Sequence, residues 1–214
     1  GIDVLDTSEH SGTATVNLLA GTFRMLDGTE TFKGTISGVE NVIGTDNSDI
    51  ITGDNGDNWI WSGEGSDTVK GGIGDDTFVY EDEAELAVSG TVDGQTDEDT
   101  IIFTADSVDL TGIVDAHVAV ETLQLTNTDL EDEVTLVLDA DGGGNLGVDN
   151  FDAIIGSDAI DTIQVTGNVD LSGATLTDIE VVATTGAADI TTISSTTTGL
   201  TLANVNAAKT GVLQ

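Results

Sequence analysis

From Gly44 the sequence runs in nines. The rows read GTDNSDIIT, GDNGDNWIW, SGEGSDTVK and GGIGDDTFV. The sixth position holds Asp49, Asn58, Asp67 and Asp76, and the eighth holds Ile51, Ile60, Val69 and Phe78. Glycine recurs at the first, second and fourth positions, as Gly53, Gly56, Gly63, Gly65, Gly71, Gly72 and Gly74. The preceding row, TISGVENVI, keeps the frame with Gly38 fourth, Glu40 sixth and Val42 eighth. A fixed period of this kind makes each row one structural unit that buries its apolar face only by stacking on its neighbours.

Elementary chemistry divides each row in two. Its first six residues, rich in Gly, Asp and Asn, favour a tight turn, because Gly supplies positive φ and Asn or Asp tolerate it. The last three, of the form x-apolar-x, make a short strand with one side chain inward. Two rows close one coil, so turns stack on turns, Asp49 faces Asp67, and Asn58 faces Asp76. Close carboxylates raise each other's pKa and destabilise such a stack unless a cation lies between them. Ca²⁺ takes six to eight oxygen ligands, which Asp side chains and glycine carbonyls can supply. The candidate ligands are Asp46, Asp49, Gly53, Asn55, Gly56, Asn58, Gly63, Gly65, Asp67, Gly71, Gly72, Gly74 and Asp76. A β meander of ordinary Asp-Gly turns is the alternative, but a meander has no reason to keep strict nines.

These rows resemble the calcium-binding nonapeptides of the repeats-in-toxin family. The resemblance implies a parallel β-roll, and it extends beyond the rows. DTFVY (Asp76 to Tyr80) and DTIIF (Asp99 to Phe103) look like the strands that close such blocks, and GIDVLDTSEHSGTATVNLLAGT looks like leading coils with Gly21 turning between strands. Between the closing strands, Glu83 to Ala87 has a short helical look within what reads mainly as an acidic loop. The family likeness also implies export through a type I secretion channel.

The second half loses the nonapeptide but keeps its echoes. ISGVENVIGTDNSDIIT (Ile36 to Thr52) is matched by LTDIEVVATTGAADITT (Leu176 to Thr192), pairing Val39-Glu40 with Ile179-Glu180 and Asp49 with Asp189. VETLQL from Val120 is a shorter echo, and GSDAIDTI (Gly156 to Ile163) repeats the frame that begins at Gly44. Alternating Thr and β-branched residues read as strands, and the sequence contains no proline to break a ladder. The fold class is therefore all-β: a parallel β-roll or β-solenoid with calcium-binding turns over 1–103 (repeat core 35–79, closing strands 76–103), continued by a Thr-rich β-solenoid-like segment over 104–214. A β-sandwich is the competing shape for the second segment. The loop LDADGGGNLGVDN, with Asp139, Asp141 and Asp149, begins like an EF-hand loop but lacks its fifth-position acid and twelfth-position Glu, so an acidic hairpin tip competes with a calcium turn there.

Charge sharpens the argument. Forty acidic residues stand against four basic ones, for a net charge of −36. Such a chain repels itself, and compaction carries an electrostatic cost that divalent cations offset. A salt-adapted acidic coat is a compatible, partial explanation. With no basic stripe, nucleic acid is excluded as a partner. There is no cysteine, so neither disulfide nor thiolate site exists. No apolar run is long enough to span a membrane.

Catalytic machinery is hard to find. His10 and His117 are the only histidines, without metal-ligand spacing, and Gly-x-Ser-x-Gly is absent. Acid pairs abound simply because acids do. Trp59 and Trp61 flank Ile60 and should share the outer face of a strand, as a docking patch or under a neighbouring coil. The expectation is a non-enzymatic, calcium-binding module of a secreted bacterial cell-surface protein, a surface-layer or adhesin scaffold. It should fold in extracellular calcium and engage itself or a cell-surface partner. Two alternatives are a non-catalytic segment of a type I-secreted hydrolase or toxin, and a Thr-rich ice- or carbohydrate-binding face at Thr191 to Thr201.

Overall fold

The computed structural model describes residues 1–87, 90–111, 117–126, 133–139, 151–166, 169–171, 174–184, 190–193 and 201–203. Nearly all of the regular structure is strand, with one short helix among the described residues. The chain divides into two compact units, Gly1–Ile102 with Ala116–Val120, and Phe103–Asp115 with Glu121–Gln214.

In the first unit, each x-apolar-x triplet forms a strand. They are β5 (Asn41–Ile43), β6 (Ile50–Thr52), β7 (Trp59–Trp61), β8 (Thr68–Ile73) and β9 (Thr77–Tyr80), preceded by β1 (Val4–Asp6), β2 (Thr13–Asn17), β3 (Thr22–Asp27) and β4 (Glu30–Thr35). The unit closes with β10 (Thr91–Thr96), β11 (Thr100–Phe103) and β13 (His117–Val118). Odd and even rows go to opposite sheets. One runs β1-β5-β7-β9-β11, the other β13-β10-β8-β6-β2-β3-β4. The parallel register pairs Val42 with Ile60 and Ile60 with Phe78 on one side, and Ile51 with Val69 and Val69 with Val92 on the other. These eighth-position side chains are buried, with Val42, Ile51 and Phe78 fully so. Each burial contributes roughly 1.5–3 kcal/mol.

Two features depart from a uniform roll. The expected leading coils are only partly parallel. β1 and β2 join the stack in parallel with β5 and β6, but β3 and β4 extend the second sheet as antiparallel hairpins. Gly21, at φ 63°, turns the first hairpin. The acidic segment after β9 contains the helix α1 (Glu83–Ala87). Asp82 Oδ1 accepts the Ala84 N–H at 2.8 Å and Glu85 Oε2 accepts the Glu81 N–H at 3.0 Å, two separate caps on the helix start, and Leu86 is buried.

The second unit is parallel among its described strands. One sheet holds β14 (Thr122–Leu125), β16 (Ala153–Ile155) and β19 (Thr175–Thr177). Another runs β12 (Ser107–Asp109), β15 (Thr135–Asp139), β17 (Thr162–Thr166), β20 (Val181–Thr184) and β22 (Thr201–Ala203), and β18 (Val169–Leu171) pairs with β21 (Ile190–Ile193). In-register Leu123 and Ile154, then Leu136, Ile163 and Val182, are buried. Parallel pairing of this kind belongs to stacked coils rather than to an antiparallel sandwich. Asp141, Asp149, Asp189 and most of the Thr191 to Thr201 run lie outside the described residues.

Candidate metal centre

The six-residue turns stack along two edges of the first unit, and their geometry is set by the sixth position. Asp49, Asn58, Asp67 and Asp76 are all buried, and each reaches back toward the coil before it. Asp49 Oδ1 accepts the Ala14 N–H at 2.6 Å, and Asp67 Oδ1 accepts the Asp49 N–H at 2.8 Å. On the other edge, Asp76 Oδ1 accepts the Asn58 N–H at 2.8 Å, and the Asn58 Nδ2 group donates to the Glu40 carbonyl at 2.8 Å. The structure thus brings Asp49 to Asp67 and Asn58 to Asp76. Backbone bonds run alongside, from the Thr68 N–H to the Asp49 carbonyl at 2.9 Å and from Thr77 to Asn58 at 2.8 Å.

The second side-chain oxygen distinguishes the turns. Asp49 Oδ2 accepts the Thr45 N–H at 2.6 Å, and the Thr45 hydroxyl donates to Asp49 Oδ1 at 2.9 Å. Asn58 Oδ1 accepts the Asp54 N–H at 2.8 Å. By contrast, Asp76 Oδ2 is sealed from water with no hydrogen-bond donor, and Asp67 Oδ2, equally sealed, has only the Ser62 hydroxyl beside it, outside hydrogen-bond geometry. Burial pushes both carboxyls up to about 7, against the lowering effect of the N–H each accepts and, for Asp67, of the Ser62 hydroxyl. Negative neighbours add to the rise, Asp49 for Asp67, and Asp99, Asp57 and Asp54 for Asp76. Burial raises Asp49 as well, opposed by its three hydrogen bonds. An uncompensated buried carboxylate oxygen is costly, so these two acceptors call for a cation.

The glycines make room for one. Gly63 and Gly72, at φ 84° and 132°, turn the backbone where a side chain would be strained. A Cβ on Gly53 would strike the Gly71 carbonyl oxygen and Asn58 Oδ1. One on Gly44 would strike the Ser62 carbonyl oxygen, and Asp49 Oδ2 at 2.7 Å. The gaps are therefore lined by carboxylate, amide and carbonyl oxygens, the donor set that suits calcium. No three His, Cys, Asp or Glu side chains converge among the described residues, so an ion here would be held by one or two carboxylates and by backbone carbonyls.

Residues 43–78 match the family model of the RTX calcium-binding nonapeptide repeat, in four copies. The four rows are RTX repeats. No curated protein matches the chain. The rows make this part of the chain a calcium-binding structural module built as a parallel β-roll. Among the sequence candidates in the RTX rows, the third-position residues Asp46 and Asn55 are exposed, whereas the sixth-position side chains gather inside the turns. Sequence reasoning did not single out Thr45 and Asp54, whose N–H groups close their own turns. The frame that GSDAIDTI (Gly156 to Ile163) repeats in the second unit is built around its sixth residue in the same way. There Asp161 is buried, its Oδ1 accepts the Val134 N–H at 3.0 Å and the Ser157 hydroxyl at 3.1 Å, and its own N–H donates to Glu180 Oε2 at 2.8 Å. Glu40 plays the same part for the Asp3 N–H at 2.7 Å. The sequence signal for these two glutamate contacts was the matched pair Glu40 and Glu180 in the internal echo.

Proposed function

We propose that the chain is the calcium-binding structural module of a secreted bacterial cell-surface protein, a surface-layer or adhesin scaffold that folds and assembles on meeting extracellular calcium. The observation that carries this reading is Asp76 Oδ2, buried without a hydrogen-bond donor within the RTX turns. Bound calcium would supply positive charge where the fold has concentrated negative charge. Asp49, Asn58, Asp67 and Asp76 would hold it, with oxygens of the turn residues Asp46, Gly53, Asn55, Gly56, Gly63, Gly65, Gly71, Gly72 and Gly74.

A net charge of −36 keeps the metal-free chain expanded, a state suited to passage through a type I export channel. Outside the cell, a site held at about 100 times its dissociation constant adds roughly 2.7 kcal/mol. Two or three such sites rival the whole stability of an ordinary domain, about 5–15 kcal/mol. The roll ends near residue 103, and the Thr-rich segment over 104–214 continues the solenoid. The module is non-catalytic, and its partners are calcium and either further copies of itself or another cell-surface component. Sedimentation velocity on the full chain tests this. The metal-free protein should sediment as an expanded monomer that contracts on adding millimolar calcium and then associates at higher concentration. A metal-free chain that is already compact and unchanged by calcium would defeat the proposal.

A further inference from the structure

The family match ends at residue 78, well before the segment GQTDED at 94–99. This segment nevertheless lies on the RTX turn at 71–76 position for position. Gln95 pairs with Gly72, and Thr96 with Ile73. The Asp76 N–H donates to Asp99 Oδ1 at 2.8 Å, the Gly74 N–H to Asp97 Oδ2 at 3.2 Å, and the Glu98 N–H to Asp75 Oδ1 at 3.1 Å. Gln95 and Asp97 sit at φ 82° and 80°, at the two places where the turn beneath has Gly72 at 132° and Gly74 at 115°. A left-handed backbone is disfavoured for residues with a side chain, and it persists where the surroundings impose it. The segment thus keeps the shape of an RTX turn without the glycines that announce one.

Shape alone makes no site, but a buried acceptor faces this one. Asp76 is only 1% exposed, and its Oδ2 has no hydrogen-bond donor. The space that a Cβ on Gly71 would fill is bounded by that oxygen and by the Gly94 carbonyl oxygen, 2.9 Å from the Cβ position. Asp99, also 1% exposed, brings a second carboxylate to the same pair of turns. We propose that turns 71–76 and 94–99 together hold a calcium-like hard divalent cation, with the carboxylates of Asp76 and Asp99 and the carbonyl of Gly94 among its ligands. The proposal rests on the calcium-binding reading of the RTX rows and adds to them a turn beyond the matched region.

Amide hydrogen exchange on the full chain, metal-free and with calcium, separates the two claims. Calcium should slow exchange over 94–99 as well as over 43–78. In calorimetry, Asp99→Asn should lose about one equivalent of bound calcium, while the exposed neighbour Glu98→Gln loses none. Protection confined to 43–78 would overturn the added site and leave the RTX reading standing. An equal loss in both variants would also overturn it, by tracing the effect to diffuse charge. Absence of protection anywhere would sink both. If Asp99→Asn does not fold, the wild-type exchange pattern decides.

Discussion

Thr45 and Gly72 hold the same place in their rows, yet they leave the sixth-position acceptor in opposite states. Thr45 turns its N–H and hydroxyl onto Asp49. Gly72 lies left-handed, and Asp76 Oδ2 is left without a donor. Thr45→Val keeps the backbone N–H on Asp49 but removes the hydroxyl that donates to it and accepts the Asn47 N–H. It should therefore destabilise the calcium-loaded protein by about 1–3 kcal/mol, without changing the bound calcium. Urea unfolding paired with calorimetry would check both halves. The carboxyls raised to about 7, Asp67 and Asp76, with Glu85 alongside them, give a second prediction. A carboxyl whose folded pKa exceeds its unfolded value binds more protons folded than unfolded between the two. Without metal, the folded state is therefore favoured as pH falls from about 7 toward about 4, so the expanded chain should gain β structure over that range. Calcium affinity should move the other way, rising with pH over the same range, because the ligands must be deprotonated. Circular dichroism in metal-free buffer at several pH values would show the first trend, and a β signal that instead climbs with pH would contradict it.

At the scale of elements, what was legible followed from how much each local pattern constrains. A lone aliphatic residue at every eighth position has one way to be buried, so β5 to β9 fell where the nines put them. The antiparallel extension β3–β4 lies where the nonapeptide frame does not reach, and Asp27-Gly28 sets it: Gly28 at φ 57° lets the chain reverse so that Asp27 pairs with Glu30. Such a local turn signal outranks a faint long-range repeat. Turn 94–99 was hidden for a related reason. Its left-handed positions carry Gln95 and Asp97 instead of glycine, so only Gly94, Asp99 and Ile101 kept the frame. The helix α1 rests on two caps and one buried anchor, so Leu86→Ala should cost about 2–5 kcal/mol in the calcium-loaded state. Thermal or urea unfolding would read that loss, and a change under about 0.5 kcal/mol, typical of surface positions, would show that the helix is peripheral to the fold.

Over the whole molecule, charge and topology pull against each other. Parallel coils stack acids on acids, and among the described residues the only ion pair is Lys70 with Asp93 at 3.9 Å. Screening by monovalent salt relieves the long-range repulsion but does not fill an oxygen-lined gap. Molar sodium chloride should therefore contract the metal-free chain without giving it the cooperative unfolding that calcium gives. Composition made the need for cations legible, but it did not show which oxygens were left without donors, since that depends on second-position residues acting through the folded backbone. The most direct test of the account is circular dichroism of the metal-free full chain during calcium titration, alongside the Asp67→Ala, Asp76→Ala double variant. The account predicts that β signal appears cooperatively in the wild type and is lost in the variant. A wild-type chain already fully folded without metal, and binding none, would contradict it.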